Sequence, residues 1–301
     1  MIKHLGLKAY GKINLALDVL RKREDGYHEV RMIMQTVGIY DRIDLDVTQE
    51  PGIQVETNLF YLPNNENNLV HKAAKLLMDE FHVTKGISIR LRKFIPVAAG
   101  MAGGSSDAAA VLFGVNKMFG LGLSMEDLMK RGVKIGADVP YCIMRGTALS
   151  EGIGEKLTPL PPVPQCQVLI VKPGINVSTK FVYESLDAAH LKAEDHPDID
   201  GMIAAIQKKD LYGMAARFGN VLETVTVKTY PVISEIKEKM IEAGAVNSCM
   251  SGSGPTVFGL FTNPKAAQNA YEKFRFDEWK GLAKQVYITN FYNNQEVLHG
   301  K

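Results

Sequence analysis

The sequence predicts an α+β protein in two units, on three observations. Apolar residues alternate through the first sixty positions, as they do in half-buried strands. Near residue 100 a run of glycine, alanine and serine opens into a helical pattern. Beyond a cluster of prolines, the periodicities run strand, helix, strand, strand, helix, strand, the β-α-β-β-α-β order of a ferredoxin-like unit with added helices. A chain of 301 residues has the length of two ordinary domains. Four of its thirteen prolines stand in Pro159-Leu160-Pro161-Pro162-Val163-Pro164, a stiff extended segment. The expected units are therefore residues 1–160 and 161–301.

Each element has its own signal. Leu5, Leu7 and Ala9, then Ile13, Leu15, Leu17 and Val19, recur at every second position, and Asp25-Gly26 is a hairpin cue. Residues 43–47 and 53–56 alternate as further strands, and the first sixty residues read as antiparallel throughout. Asn67 or Asn68 can cap a helix whose apolar face is Leu69, Ala73, Leu76, Leu77 and Phe81. Ile87, Ile89 and Leu91 alternate with polar residues as a strand. Ser124, with Asp127 three residues on, marks another helix start. In the second unit the strands are expected at 168–171, 246–250, 256–261 and 285–289. The helices are expected at 179–189, 199–208, 232–243 and 264–274.

Composition removes several function classes. Thirty-five basic and 33 acidic residues leave a net charge of +2, with no basic stripe for coating nucleic acid. Cys142, Cys166 and Cys249 form no C-x-x-C pair, so neither a disulfide framework nor a zinc site is suggested. No stretch reaches the roughly 20 apolar residues of a membrane span, and the N-terminus has no signal-peptide pattern. The expectation is a cytoplasmic protein with no nucleic-acid or membrane partner.

The richest segment is Pro96-Val97-Ala98-Ala99-Gly100-Met101-Ala102-Gly103-Gly104-Ser105-Ser106. Small residues let the backbone approach a ligand, and the helix start that follows offers free N–H groups and the positive end of a dipole, a site for phosphate. The plain alternative is a tight turn capped by serine. No lysine precedes Ser105, so the Walker A pattern is absent, and the spacing of Gly100, Gly103 and Gly104 does not give the Rossmann fingerprint. Lys12 and Asn14 share one face of a strand and can offer a cation, or are two solvated residues. Asp138, in Gly136-Ala137-Asp138-Val139-Pro140, can accept a proton from a hydroxyl, or is a turn residue. Ser251-Gly252-Ser253-Gly254-Pro255 is a loop between strands. Tyr27 and His28 can stack on a base, or are an ordinary exposed pair.

Taken in order, these segments resemble the GHMP kinase superfamily, the small-molecule kinases related to galactokinase, homoserine kinase and mevalonate kinase. The likeness rests on Lys8-Ala9-Tyr10-Gly11-Lys12-Ile13-Asn14-Leu15, Asp25-Gly26-Tyr27-His28, Asn67-Asn68-Leu69, the loop at 96–106 with Asp107-Ala108-Ala109, residues 136–140 and residues 251–255. It implies an N-terminal ATP-binding unit like ribosomal protein S5 and a C-terminal ferredoxin-like substrate unit. It further implies ATP with Mg²⁺, Asp138 as catalytic base with Lys12 as its partner, residues 96–106 around the phosphates, and Asn68 and Lys93 near adenine. The Lys-x-Asn, Gly-Ala-Asp-Val-Pro and Asp-Gly-Tyr-His segments imply a member that phosphorylates the 2-hydroxyl of a cytidine-diphosphate methylerythritol in non-mevalonate isoprenoid synthesis. Tyr27, His28 and Tyr183 would then meet the cytidine, and Asn14 the substrate alcohol or phosphate. Such a protein would be a monomer or homodimer. No metal ligand is assigned, Asp107 included. The alternatives are another GHMP kinase, acting on homoserine, mevalonate or a sugar, and a non-catalytic ATP-binding sensor. Ala98, Ala99 and Ala102 stand where relatives can have glycine, which predicts a stiffer loop or a shifted path.

Overall fold

The computed structural model describes residues 2–293. Strands β1 (His4–Lys22) and β2 (His28–Thr48) form one long antiparallel hairpin, turned at Asp25 and Gly26, where Gly26 takes a φ of +85°. Both strands are buried on two faces in their middle stretch, because two layers pack on them. Helices cover one face, while the other meets the second sheet through Ile13, Leu15, Ile33 and Val37, which cluster with Val168, Ile170, Phe258 and Leu260.

The alternating run of β1 does not keep to one face. Register slips at Asn14/Ala16 and again at Val19/Arg21, and a bulge turns every later side chain over. Ile13 and Leu15 therefore pack between the sheets, whereas Leu17 and Val19 join the opposite core.

Strand β3 (Ile53–Thr57) leads through helix α1 (Leu69–Glu80) to β4 (Gly86–Arg92). β3 lies parallel to β4, not antiparallel as the sequence suggested, because the helix supplies the crossover a parallel pair needs. Asn68 is the cap of α1, its side-chain oxygen accepting from the Val70 amide. Helix α2 (Gly103–Phe119) follows the glycine-alanine loop, and α3 (Met125–Gly132) starts at a full capping box between Ser124 and Asp127. Helix α4 (Val139–Met144) precedes β5 (Thr147–Gly152) and β6 (Lys156–Pro159), which extend the sheet from β2.

The second sheet begins at β7 (Gln167–Lys172). Helices α5 (Thr179–Ser185), α6 (Ile199–Gln207) and α7 (Leu211–Ala215) lead to β8 (Gly219–Asn220), which pairs parallel with β1 and so ties the two sheets together. Helix α5 ends earlier than the pattern suggested, since Leu186 is extended. Then come α8 (Glu223–Thr229), α9 (Val232–Glu242), β9 (Asn247–Met250), β10 (Val257–Phe261), α10 (Pro264–Arg275) and β11 (Gln285–Asn290). The sheet order β11-β7-β10-β9, antiparallel throughout, is the ferredoxin-like arrangement. Among the described residues no helix is long and apolar enough to cross a membrane.

Candidate active site

A cavity of about 1370 Å³ opens where β1, the loop at 96–102, the start of α2, helix α5 and the 252–254 turn converge. That exceeds the roughly 300–1,000 Å³ of a site for one drug-sized ligand. The space suits two.

At one end lies the glycine-alanine loop. Pro96, Val97, Ala98, Ala99, Gly100, Met101, Ala102, Gly103, Gly104 and Ser105 all line the cavity. Ala98, Gly100 and Ala102 take φ values of +50°, +71° and +52°, so two alanines hold a left-handed conformation that costs an L-residue about 1–2 kcal/mol. Ala99 does not share it. Contacts from elsewhere in the chain hold this shape. The Lys12 amide donates to the Met101 carbonyl at 3.1 Å, and the Ser251 hydroxyl donates to the Gly100 carbonyl at 2.9 Å. A Cβ at Gly100 would stand 2.0 Å from the Ser251 carbonyl oxygen, so only glycine fits.

Helix α2 has no side-chain cap, and the first amides of its opening turn are left for an anion. Ser105 and Ser106 are the third and fourth helical residues, not its cap. Ser105 faces the cavity. Ser106 is buried, and its hydroxyl donates to the Tyr10 carbonyl at 2.6 Å, away from the cavity.

Beneath the loop lies a buried ionic cluster. Lys93 donates from Nζ to Asp107 at 2.6 Å and to Asp41, and Asp41 also accepts from the Phe94 and Ile95 amides. Burial pushes the Asp107 carboxyl well up, against the pull of the Lys93 ammonium. Lys93 thus reaches the cavity wall with two carboxylates already bound. Asn68, on the same wall, has its carboxamide committed: the nitrogen donates to the Pro63 carbonyl at 2.7 Å and the oxygen caps α1. It therefore holds the segment carrying Leu62 and Pro63, which also line this end. The sequence reading missed Asp41, although it occupies an inward position in the series Ile39, Asp41, Ile43, Leu45; an acid among such neighbours is the signal.

In the middle of the cavity Lys12 and Asn14 do share a face, the Lys12 ammonium donating to Asn14 Oδ1 at 2.7 Å. Lys12 Nζ stands 3.9 Å from Asp138 Oδ2. Asp138 occupies the N-cap position of α4, but its carboxylate makes no capping hydrogen bond and remains open toward the cavity. The turn-residue alternative leaves that open carboxylate unexplained.

At the far end, His28 and Tyr183 face each other with ring centroids 5.2 Å apart, one from β2 and the other from α5. Tyr27 stands beside them, 59% exposed. Burial lowers the His28 pKa, and the nearby Lys22 charge lowers it further, so the neutral ring is favoured. Burial raises the Tyr183 phenol, and the Asp138 charge adds to this. The 252–254 turn of the Ser251–Pro255 segment lines the same space, as do Lys22, Val177, Thr179 and Lys180, which went unread in the sequence, having no local motif.

Among the described residues, no three His, Cys, Asp or Glu side chains gather as a metal site. A magnesium ion carried by a nucleotide needs only one or two protein oxygens. Ser105 and Asp138 offer hard oxygen donors of that kind, and both face the cavity.

Comparison with known proteins gives the family and the fold. The model of the GHMP kinases N terminal domain matches residues 68–146, and that of the GHMP kinases C terminal domain matches residues 202–279. The chain belongs to the GHMP kinase family, and is a small-molecule kinase. A 4-diphosphocytidyl-2-C-methyl-D-erythritol kinase of Lachnoclostridium phytofermentans is 57% identical over 97% of this chain and 99% of its own. One of Lachnospira eligens is also 57% identical, over the same shares. A crystal structure of 4-(cytidine 5'-diphospho)-2C-methyl-D-erythritol kinase superposes with a TM-score of 0.80 at 28% identity, covering 96% of this chain and all of that one. Homoserine kinase from Cytophaga hutchinsonii shares the fold at a TM-score of 0.75 and 20% identity, over 98% and 97% of the two chains.

Proposed function

We infer that this chain transfers the γ-phosphoryl group of ATP to 4-diphosphocytidyl-2-C-methyl-D-erythritol, at the 2-hydroxyl of the methylerythritol unit, in the non-mevalonate route to isoprenoid precursors. The products are the 2-phosphate and ADP. The observation that carries the residue assignment is the open Asp138 carboxylate, 3.9 Å from Lys12 and between the amide-rich loop and the aromatic pair. Residues 1–160 supply the loop and the acid-lysine pair; residues 161–301 supply Tyr183.

In this reading the loop amides and the first turn of α2 hold the triphosphate, with the γ-phosphorus toward Asp138. The cytosine stacks among Tyr27, His28 and Tyr183, and the neutral His28 ring can both donate to and accept from its edge. Asp138 accepts the proton of the hydroxyl as that oxygen bonds to the γ-phosphorus and the bond to the β–γ bridging oxygen breaks. Lys12 sets its ammonium 3.9 Å from the Asp138 carboxylate, where it can also meet the reacting hydroxyl, and Asn14 steadies that ammonium. Magnesium bound with ATP, with Ser105 as its protein ligand, would supply charge neutralisation at the phosphate oxygens.

The test is ADP release by the purified protein with Mg-ATP, offered the cytidine-diphosphate methylerythritol, homoserine, mevalonate and galactose in parallel, with product mass confirming transfer. Turnover on the first alone is expected. Turnover on another alcohol would discard the cytidine reading, and ATP binding without turnover on any would favour a sensor.

A further inference from the structure

Four lysines line the cavity. Lys12 meets Asn14 and Asp138, Lys93 meets Asp41 and Asp107, and Lys180 lies 3.8 Å from Glu184. Lys22, at the end of β1, has no ion-pair partner among the described residues. Its sequence neighbours differ. Arg21 pairs with Glu29 at 2.6 Å and Arg23 with Asp25 at 2.9 Å.

Register explains the difference. The two bulges of β1 cancel, so the face that carries Lys12 and Asn14 continues through Leu17 to Lys22, and all four line the cavity. Lys22 stands directly across from His28 in the strand pairing, and its charge is felt at that ring. An unpaired ammonium is thus aimed into the ligand space beside the aromatic end, away from the loop amides that suit a nucleotide triphosphate.

We propose that Lys22 binds the diphosphate of the acceptor substrate and so makes the site select a nucleoside-diphosphate ester over a bare alcohol. The inference rests on the proposed function, in which the base lies at His28 and Tyr183 and the alcohol at Lys12 and Asp138. The diphosphate must then leave the base on its way to Asp138, and Lys22, across from His28 on the face that continues to Lys12, is the lysine of that end with no ion-pair partner among the described residues.

The experiment compares wild type, Lys22→Gln and Lys22→Arg. The nucleotide site is filled by a non-hydrolysable ATP analogue, and cytidine and CDP are titrated by calorimetry. A charge-assisted contact at an exposed position predicts roughly tenfold weaker CDP binding in Lys22→Gln. Cytidine affinity should be unchanged and Lys22→Arg should recover most of the loss. In turnover, KM for the cytidine-diphosphate substrate should rise more than kcat falls, with KM for ATP unmoved. Equal weakening of cytidine and CDP would overturn the assignment in favour of a contact to the base. Unchanged affinity for both, in a protein that turns over the substrate normally, would overturn it outright. A wild type that does not phosphorylate the cytidine-diphosphate substrate would overturn the proposed function instead.

Discussion

At the loop end of the cavity the groups that face the ligand are backbone amides, whereas at the aromatic end they are side chains. The amides are held by structure behind them: Asp41 binds the Phe94 and Ile95 amides, Lys93 joins Asp41 to Asp107, and Ser251 from the second sheet clips Gly100. Ala98 and Ala102 persist in strained conformations because these contacts leave the backbone no alternative. The aromatic end is more open to solvent, and Tyr27 is more than half exposed. A change at the loop end should therefore disturb folding and ATP binding together. A change at the aromatic end should alter only how well the acceptor binds.

The strongest test falls where the two ends meet. Asp138→Asn should lower kcat by about 10²–10⁴-fold, the range for losing a general base, while calorimetry finds ATP bound as before. Turnover near wild type would remove Asp138 from the chemistry. Next is Asp41→Ala, which strips a buried ammonium of one partner and frees two amides. It should cost roughly 3 kcal/mol in urea unfolding and raise KM for ATP as well. An unchanged unfolding midpoint would mean the loop is not held from beneath.

Asp107→Asn sharpens the same point. Because burial raises the Asp107 carboxyl in the folded protein, this group's contribution to stability is complete below the ordinary carboxylate range and is lost as pH climbs through the raised value. The variant should lack that decline, and parallel stability-pH curves for the two proteins would contradict it. Smaller still, Tyr27→Ala should raise KM for the acceptor about fivefold and leave KM for ATP alone, as expected for an exposed stacking face. Parallel changes in both constants would erase the contrast between the ends. Ala102→Gly should be the mildest, raising stability by less than about 1 kcal/mol, since the relief of strain is partly offset by a freer unfolded chain. A thermal melt would show it.

Much of the fold was legible because its signals are local. The Asn68 cap, the Ser124–Asp127 box, the Asp25-Gly26 turn and the strand-helix order of the second unit each depend on residues a few positions apart. The parallel course of β3 was not legible, since alternation tells that a segment is a strand but not which way its partner runs. Nor was the split of the β1 run at its bulges, which depends on what β2 places opposite.

The site divides in the same way. Its small-residue loop, its Lys-x-Asn pair and Asp138 each lie in a short segment whose residue types left a plain alternative open, and the resemblance to the family chose between them. By itself the sequence determined where a run of small residues leads into a helix and that the segments of the family stand in the family's order. Only the tertiary structure decided that Ser106 turns away to Tyr10, that Asp41 anchors the loop, and that Tyr183 comes to rest against His28. The reason is physical: hydrogen bonds within a turn or helix join near neighbours, while ion pairs, ring contacts and bulge register join residues brought close only when two sheets close on one another.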